Sequence, residues 1–311
     1  MRSAPKALKL GSSYECAFSP DGNYVAAVSL FVSMWGVRSG AKIWKAHPLK
    51  HPSQICFDPS GERLAVKSTS GKVMLLDAHS GEVVADLGSR GDAEGGAMAF
   101  TPDGSRLVDS SWTDGLLVRD VLTGAIQYAE KRPNDMARGV HVDSRGQQWV
   151  IWHSCRATTS NRSPDEDYVD VRQWPFSEHE PRRVGLGSFF VRDTALSGAG
   201  TLLAVSYDGR DPWRKVRVLD LSSHRWVGET PTDMCFGLAW STADDRIATV
   251  QRDAIIEYSW PGLVKVASWP MEYPQAVAYS PAGDRLALGS AGHGMVIYTG
   301  TSGEASEVVP S

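Results

Sequence analysis

Long apolar runs are missing from this 311-residue chain. None approaches the roughly 18 residues that span a bilayer, so a transmembrane helix is not expected. Net positive charge is missing too. The formal charge of −4 and pI near 6.1 argue against a sequence-independent nucleic-acid binder, which needs a basic footprint. The balance is not acidic enough to call for a basic partner. The early basic residues of "MRSAPKALKLGSSYECAF" precede no apolar h-region, so no cleaved signal peptide is expected. Cysteine is scarce. Cys16, Cys56, Cys155 and Cys235 show no CxxC spacing, which removes the zinc and thioredoxin signatures. Cys16 and Cys56 sit in apolar strand patterns, where a reduced thiol serves as a small core residue. These absences together favour the cytoplasm.

Enzyme signatures are also lacking. There is no GxSxG, no HExxH and no Gly-rich loop between strand and helix. The eight histidines are scattered. "AHPLKHP" places His47 and His51 four apart, but no helix aligns them and no third ligand lies nearby, so a solvated Pro-rich loop is expected there. No metal and no cofactor is expected.

What the chain does have is repetition. "AFSPDGNYVA" begins at Ala17, "CFDPSGERLA" at Cys56, "AFTPDGSRLV" at Ala99 and "AYSPAGDRLA" at Ala278. Aligned on the residue before the turn, the anchors are Phe18, Phe57, Phe100, Val142, Leu196, Trp240 and Tyr279, at intervals of 39, 43, 42, 54, 44 and 39 residues. Each unit reads as four short strands with tight turns after the first and third. Pro presets φ for such a turn and Gly accepts a positive φ. A period near 40 with no helical periodicity points to a β-propeller, in which a ring of seven buries every blade face between two neighbours. The expected architecture is all-β: one seven-bladed propeller filling residues 1–311, with four antiparallel strands per blade.

The pattern resembles the WD-repeat (WD40) family, whose third strand closes on a Trp-Asp pair. Here the Trp column holds Trp35, Leu76, Arg119, Leu219 and Tyr298, and the Asp column Gly36, Asp77, Asp120, Asp220 and Thr299. The Gly-His dipeptide expected before the first strand is absent, so the family's buried hydrogen-bond network is incomplete and no subfamily is assigned. The turns of blades 4, 5 and 6 (Ser144-Arg145-Gly146, Gly198-Ala199-Gly200, Thr242-Ala243-Asp244) are degenerate, which reads as turn chemistry lost during repeat divergence. "KALKL" (Lys6 to Leu10) is expected to supply the outer strand of the last blade and close the ring. "EASEVV" (Glu304 to Val309) is the other candidate.

The resemblance implies a rigid, non-catalytic scaffold or regulatory subunit for another protein. Few open strand edges remain, so a monomer is expected, with no membrane partner. The face away from the Pro-Asp-Gly turns carries the most variable loops and is expected to bind. Between Arg182 and Arg217 lie seven basic and three acidic residues, with aromatics interspersed, a composition typical of interaction hot spots. The candidate interface is Trp112, Arg182, Arg183, Phe189, Arg192, Tyr207, Arg210, Trp213 and Arg214, centred on blades 3 to 5. Single-stranded nucleic acid is the weaker reading of the same residues. "WPMEYPQ" in blade 7, with Trp269, Met271 and Tyr273, reads as plugging between blades. The alternative function is an enzyme or small-ligand site at the central channel, where the first strands bring Glu15, Gln54, His141, Asp193 and Gln275. His141 and Asp193, from adjacent blades, form the candidate pair.

Overall fold

A computed structural model describes residues 7–8, 13–88, 96–111, 115–131, 135–155, 167–187, 191–207, 214–291 and 294–299. The described strands form seven four-stranded antiparallel sheets and no helix. Every anchor residue read from the sequence ends the first strand of its blade: Glu15–Phe18, Pro52–Phe57, Met98–Phe100, Asp135–Val142, Val191–Leu196, Cys235–Trp240 and Pro274–Tyr279. These first strands touch one another in sequence right round the ring and form its inner wall.

Ring closure follows the N-terminal expectation. The last blade takes three strands from residues 274–299, and its fourth is Ala7–Leu8, with Ala7 opposite Val296 and Leu8 opposite Met295. The apolar residues of each blade face its two neighbours, so the core divides into seven clusters, one per interface. Met34 and Val28 of blade 1 pack with Leu64 and Val66 of blade 2, for example. Cys16 of blade 1 packs with Ala287 and Met295 of blade 7.

The turn after the first strand obeys a stricter rule than its Pro-Asp-Gly spelling. The residue following each anchor is Ser19, Asp58, Thr101, Asp143, Ser197, Ser241 or Ser280, all buried. Its side-chain oxygen accepts a hydrogen bond from the backbone N–H five residues on, at Tyr24, Arg63, Arg106, Gln148, Leu202, Arg246 and Arg285. A short polar side chain thus closes every hairpin, including the three that lost Pro-Asp-Gly. The turns also interlock. A methyl on the Gly146 backbone would collide with the Pro102 ring of the preceding blade, and Gly22, Gly61 and Gly104 likewise abut Pro281, Pro20 and Pro59.

Outer strands are bulged in five blades, where Ile43, Val84 and Leu87, Gln127, Val227 and Val266 are the extra residues. These account for four exposed aliphatic side chains on the rim, and bulged edges resist pairing with other strands. Of the Asp column, Asp77, Asp120 and Asp220 each cap the following turn by accepting two backbone N–H groups. Those hydrogen bonds hold all three carboxyls below the usual range.

Candidate functional site

The antiparallel order puts the turns after the first and third strands on one face of the ring. The remaining loops lie on the other. With the outer-strand residues set aside, the most exposed large apolar side chains among the described residues are Tyr273 (69% exposed), Leu30 (63%) and Tyr14 (47%) on the loop face, and Leu122 (79%) and Val264 (62%) on the turn face.

Tyr273 stands out because its backbone is strained. Its φ is 50°, a left-handed conformation that costs an aromatic residue on the order of 1 kcal/mol. Ala291 N donates to Tyr273 O at 3.0 Å, and Ser290 Oγ donates to Glu272 O at 2.6 Å. The ring is therefore held out into solvent on a fixed support, not plugged between blades as the sequence suggests. It borders a cleft of about 620 Å³ lined by Phe236, Arg252, Asp253, Glu272, Tyr273, Pro274 and Gln275.

A second feature lies at the inner end of that cleft. The first strands of five blades begin with a bulge, and the extra residues are Ser53, Arg138, Arg192, Phe236 and Gln275. These residues sit where the inner wall opens onto the loop face, at the mouth of the channel. The Arg192 guanidinium lies 5.5 Å from the Phe236 ring, and that of Arg138 lies 5.5 Å from Trp152.

The structure separates the interface residues expected from the sequence. Arg182 and Arg183 belong to the outermost strand of blade 4 (Arg182–Gly185), not to blade 5. Arg182 clasps the next blade, donating to Leu221 O at 2.6 Å and lying 2.5 Å from His224 Nε2. Arg183 lies over Tyr168 at 3.7 Å and near Asp170, and Tyr168 in turn stacks on His153. Tyr207 is core: it is 5% exposed, and its hydroxyl donates to Leu186 O at 2.7 Å. Its place in an alternating strand beside apolar neighbours buries it. Arg214 pairs with Asp233 at 3.3 Å. Arg192 is exposed on the loop face. Trp112, Phe189, Arg210 and Trp213 lie outside the described residues.

The two members of the candidate channel pair each have their own hydrogen-bond partner. His141 Nε2 lies 2.8 Å from Thr194 Oγ1, and burial lowers its pKa to about 4, leaving it neutral at pH 7. Asp193 Oδ2 accepts from Leu238 N at 2.8 Å. Burial pushes the Asp193 carboxyl up to about 7, against those backbone hydrogen bonds and the Arg138 charge. Burial, then the Asp193 charge, push Glu15 up to about 8. The thiols of Cys16, Cys56 and Cys235 are free, and burial pushes each upward, Cys235 to about 12. His47 packs against Phe31 with ring centroids 3.9 Å apart. No group of three or more candidate metal ligands occurs among the described residues, and no described helix is long and apolar enough to cross a membrane.

Arg138, Phe236 and the exposed role of Tyr273 escaped the sequence reading. Each sits at a bulge or a left-handed residue, and neither shows in hydrophobic alternation. The signal within reach was positional: all three lie four to six residues before an anchor.

Seven blades closed on the N-terminal strand, with third-strand aspartates capping turns, define a WD40-type propeller. The fold and a partial family match support a WD40-type β-propeller, with no subfamily assigned. The family model described as the anaphase-promoting complex subunit 4 WD40 domain matches residues 16–99. Among solved structures, Kuenenia stuttgartiensis hydrazine synthase is similar, with a TM-score of 0.78 and 15% sequence identity, over 94% of this chain and 96% of that one. At that identity the likeness concerns the fold alone. A search of curated proteins finds no match to the sequence.

Proposed function

We propose that the propeller is a non-catalytic scaffold that binds another protein on its loop face. The observation that carries this reading is Tyr273: an aromatic side chain fixed in solvent by a strained, hydrogen-bonded backbone at the rim of a cleft. Exposed, rigid aromatics are the residues that anchor protein interfaces. Tyr14 and Leu30 extend the surface across the junction of blades 7 and 1. Arg192, exposed on the same face, continues it toward blades 4 and 5.

Affinity purification from the source organism tests the reading, with partners of the native chain compared against two variants. The combined Tyr14→Ala, Leu30→Ala and Tyr273→Ala variant is expected to lose the partner, and Leu122→Asp on the turn face to keep it. The reverse pattern would overturn the assignment.

One observation favours a second reading. A carboxyl held near pH 7 inside a channel, as at Asp193, is a common feature of general acids and bases. Under that reading Asp193→Asn abolishes an activity while leaving partner binding intact. Under the scaffold reading it changes stability only.

A further inference from the structure

Blades 2 and 7, which flank blade 1, share a backbone device on the loop face. Of the non-glycine residues described with positive φ, the two on this face are His51 (φ 51°) and Tyr273 (φ 50°). Each stands six residues before its blade's anchor, and each precedes a buried proline, Pro52 or Pro274, that begins the inner strand. Each carbonyl accepts a hydrogen bond at 3.0 Å from the residue after the second strand, Thr69 for His51 and Ala291 for Tyr273. Both side chains are exposed. Left-handed backbone at non-glycine residues costs energy and collects at ligand-binding positions.

Blade 1 fills the interval between them. Ser13 N donates to Ser290 O at 2.9 Å, which ties blade 1 to blade 7, and Tyr14 N donates to Val28 O at 2.8 Å. Ser29 N donates to Phe31 O at 2.8 Å across the loop that carries Leu30. Tyr273, Tyr14 and Leu30 thus stand on one hydrogen-bonded backbone support. Side chains on such supports lose little freedom when a partner binds.

Charge is uneven along this surface. Beyond Tyr273, Arg252, Asp253 and Glu272 mix both signs. Toward blade 2 the exposed charges are those of Lys45 and Lys50. The Lys45 ammonium lies 3.3 Å from the centroid of the Phe31 ring, which His47 also contacts. Neither lysine has a carboxylate within ion-pair distance among the described residues. On the loop-face half of blades 1 and 2 the described carboxylates are Glu15, in the channel, and Asp86, which pairs with Lys72 at 3.0 Å. The surface is therefore apolar from Tyr273 to Leu30 and cationic from Lys45 to Lys50.

We infer that this surface binds a segment of a partner protein that carries apolar side chains at one end and carboxylates at the other. The apolar side chains lie against Tyr273, Tyr14 and Leu30, and the carboxylates lie over Lys45 and Lys50. Complementary charge of this kind sets the orientation of a partner and speeds its approach. The net charge of −4 over the whole chain favours an acidic protein segment over nucleic acid as the occupant. This inference rests on the scaffold reading and names the partner's recognition chemistry.

The test is selection of a random dodecapeptide library against the full chain. Selected peptides are then synthesised with a fluorescein label and titrated by anisotropy. They are expected to carry Asp or Glu grouped to one side of Leu, Ile, Phe or Trp. Affinity should fall about tenfold on Lys45→Glu combined with Lys50→Glu, because two attractions become repulsions. Lys50→Glu alone breaks no described contact and should act in the same direction, by about threefold. Exchanging the peptide's carboxylates for lysines should restore binding to the doubly reversed chain. Tyr14→Ala with Tyr273→Ala should weaken binding and keep the preference for acidic peptides, and Leu122→Asp should change nothing. All of these side chains are exposed, so thermal melts are expected to stay near that of the native chain.

Selected sequences without acidic enrichment, or binding that falls on Tyr14→Ala with Tyr273→Ala but ignores both lysine reversals, would overturn the inference and leave the loop-face scaffold standing. Peptides lost only on Leu122→Asp, or a library that yields no binder, count against both. A labelled single-stranded oligonucleotide that binds as tightly as the peptides, with the same dependence on Lys45 and Lys50, would overturn the inference in favour of nucleic acid.

Discussion

The Asp244 carboxylate grips the turn of the neighbouring blade: Oδ1 accepts from Gly198 N at 2.6 Å and Oδ2 from Ala199 N at 2.9 Å. Asp244 occupies the position that glycine holds in the other six turns, with φ at 55°. Where blades 1 to 4 interlock through glycine on proline, blades 5 and 6 interlock through a carboxylate on two amides. The degenerate turn is therefore a different clasp, not a decayed one, and this corrects the reading of blade 6 as lost turn chemistry.

Replacing Asp244 separates its two roles. Asp244→Gly keeps the left-handed turn and loses the clasp, for an expected cost of about 1–2 kcal/mol. Asp244→Ala adds backbone strain of about 1 kcal/mol and should be the worse variant. Asp244→Asn retains an acceptor and the turn, and should be mildest. Urea unfolding midpoints check this order; equal losses for glycine and alanine would exclude the backbone part.

Channel acidity has a definite pH signature. Glu15 and Asp193 have folded pKa values of about 8 and about 7, raised from 4.5 and 3.8. The folded state thus binds more protons than the unfolded one across that interval, so stability is greatest below pH 4 on their account and falls as pH rises to 8. Glu15→Gln and Asp193→Asn remove this loss. Each should add on the order of a few kcal/mol of stability at pH 8.5, read as a higher thermal midpoint, and change it little at pH 5. A shift of equal size at both pH values would show that ionisation is not the cause.

Lys67 and Asp109 form a buried ion pair between blades 2 and 3, with Nζ to Oδ1 at 2.6 Å. Arg119 Nε lies 3.6 Å from the other carboxylate oxygen. Asp109→Leu strands two buried cations and should cost about 3–5 kcal/mol. Lys67→Met leaves Asp109 facing Arg119 and should cost clearly less. Denaturant unfolding of the two variants measures the asymmetry, and a larger loss for Lys67→Met would overturn it.

The N-terminal strand closes the ring through Ala7 and Leu8 alone among the described residues. Deleting residues 1–10 opens the edge of Gly294–Thr299 and should lower the thermal midpoint markedly. Deleting residues 304–311 should have the smaller effect, and the opposite ranking would assign closure to the other end.

Much of the fold was legible because each hairpin is a local object. Pro20, Gly22 and the apolar pairs around them suffice to place a turn between two strands, and repetition then counts the blades. The hydroxyl or carboxylate after each anchor was equally local and was overlooked only because its identity varies among Ser, Thr and Asp. The candidate site was less legible. Tyr207 and Arg182 carry the composition of an interface, yet one fills the core between blades 4 and 5 and the other clasps a neighbouring turn. Arg192 is exposed, and its neighbour Phe236, in the next blade, lies beyond the reach of a single repeat's pattern.

The sequence by itself determined the number of blades and the place of every first-strand turn. These depend on apolar alternation and turn residues within a few positions of one another. Only the tertiary structure decided which polar groups meet across blades, as Lys67 meets Asp109 42 residues away. It also decided which side chains the bulges turn toward the channel mouth. Such contacts join units about 40 residues apart, and their geometry is set by the curvature of the closed ring, which no single repeat encodes.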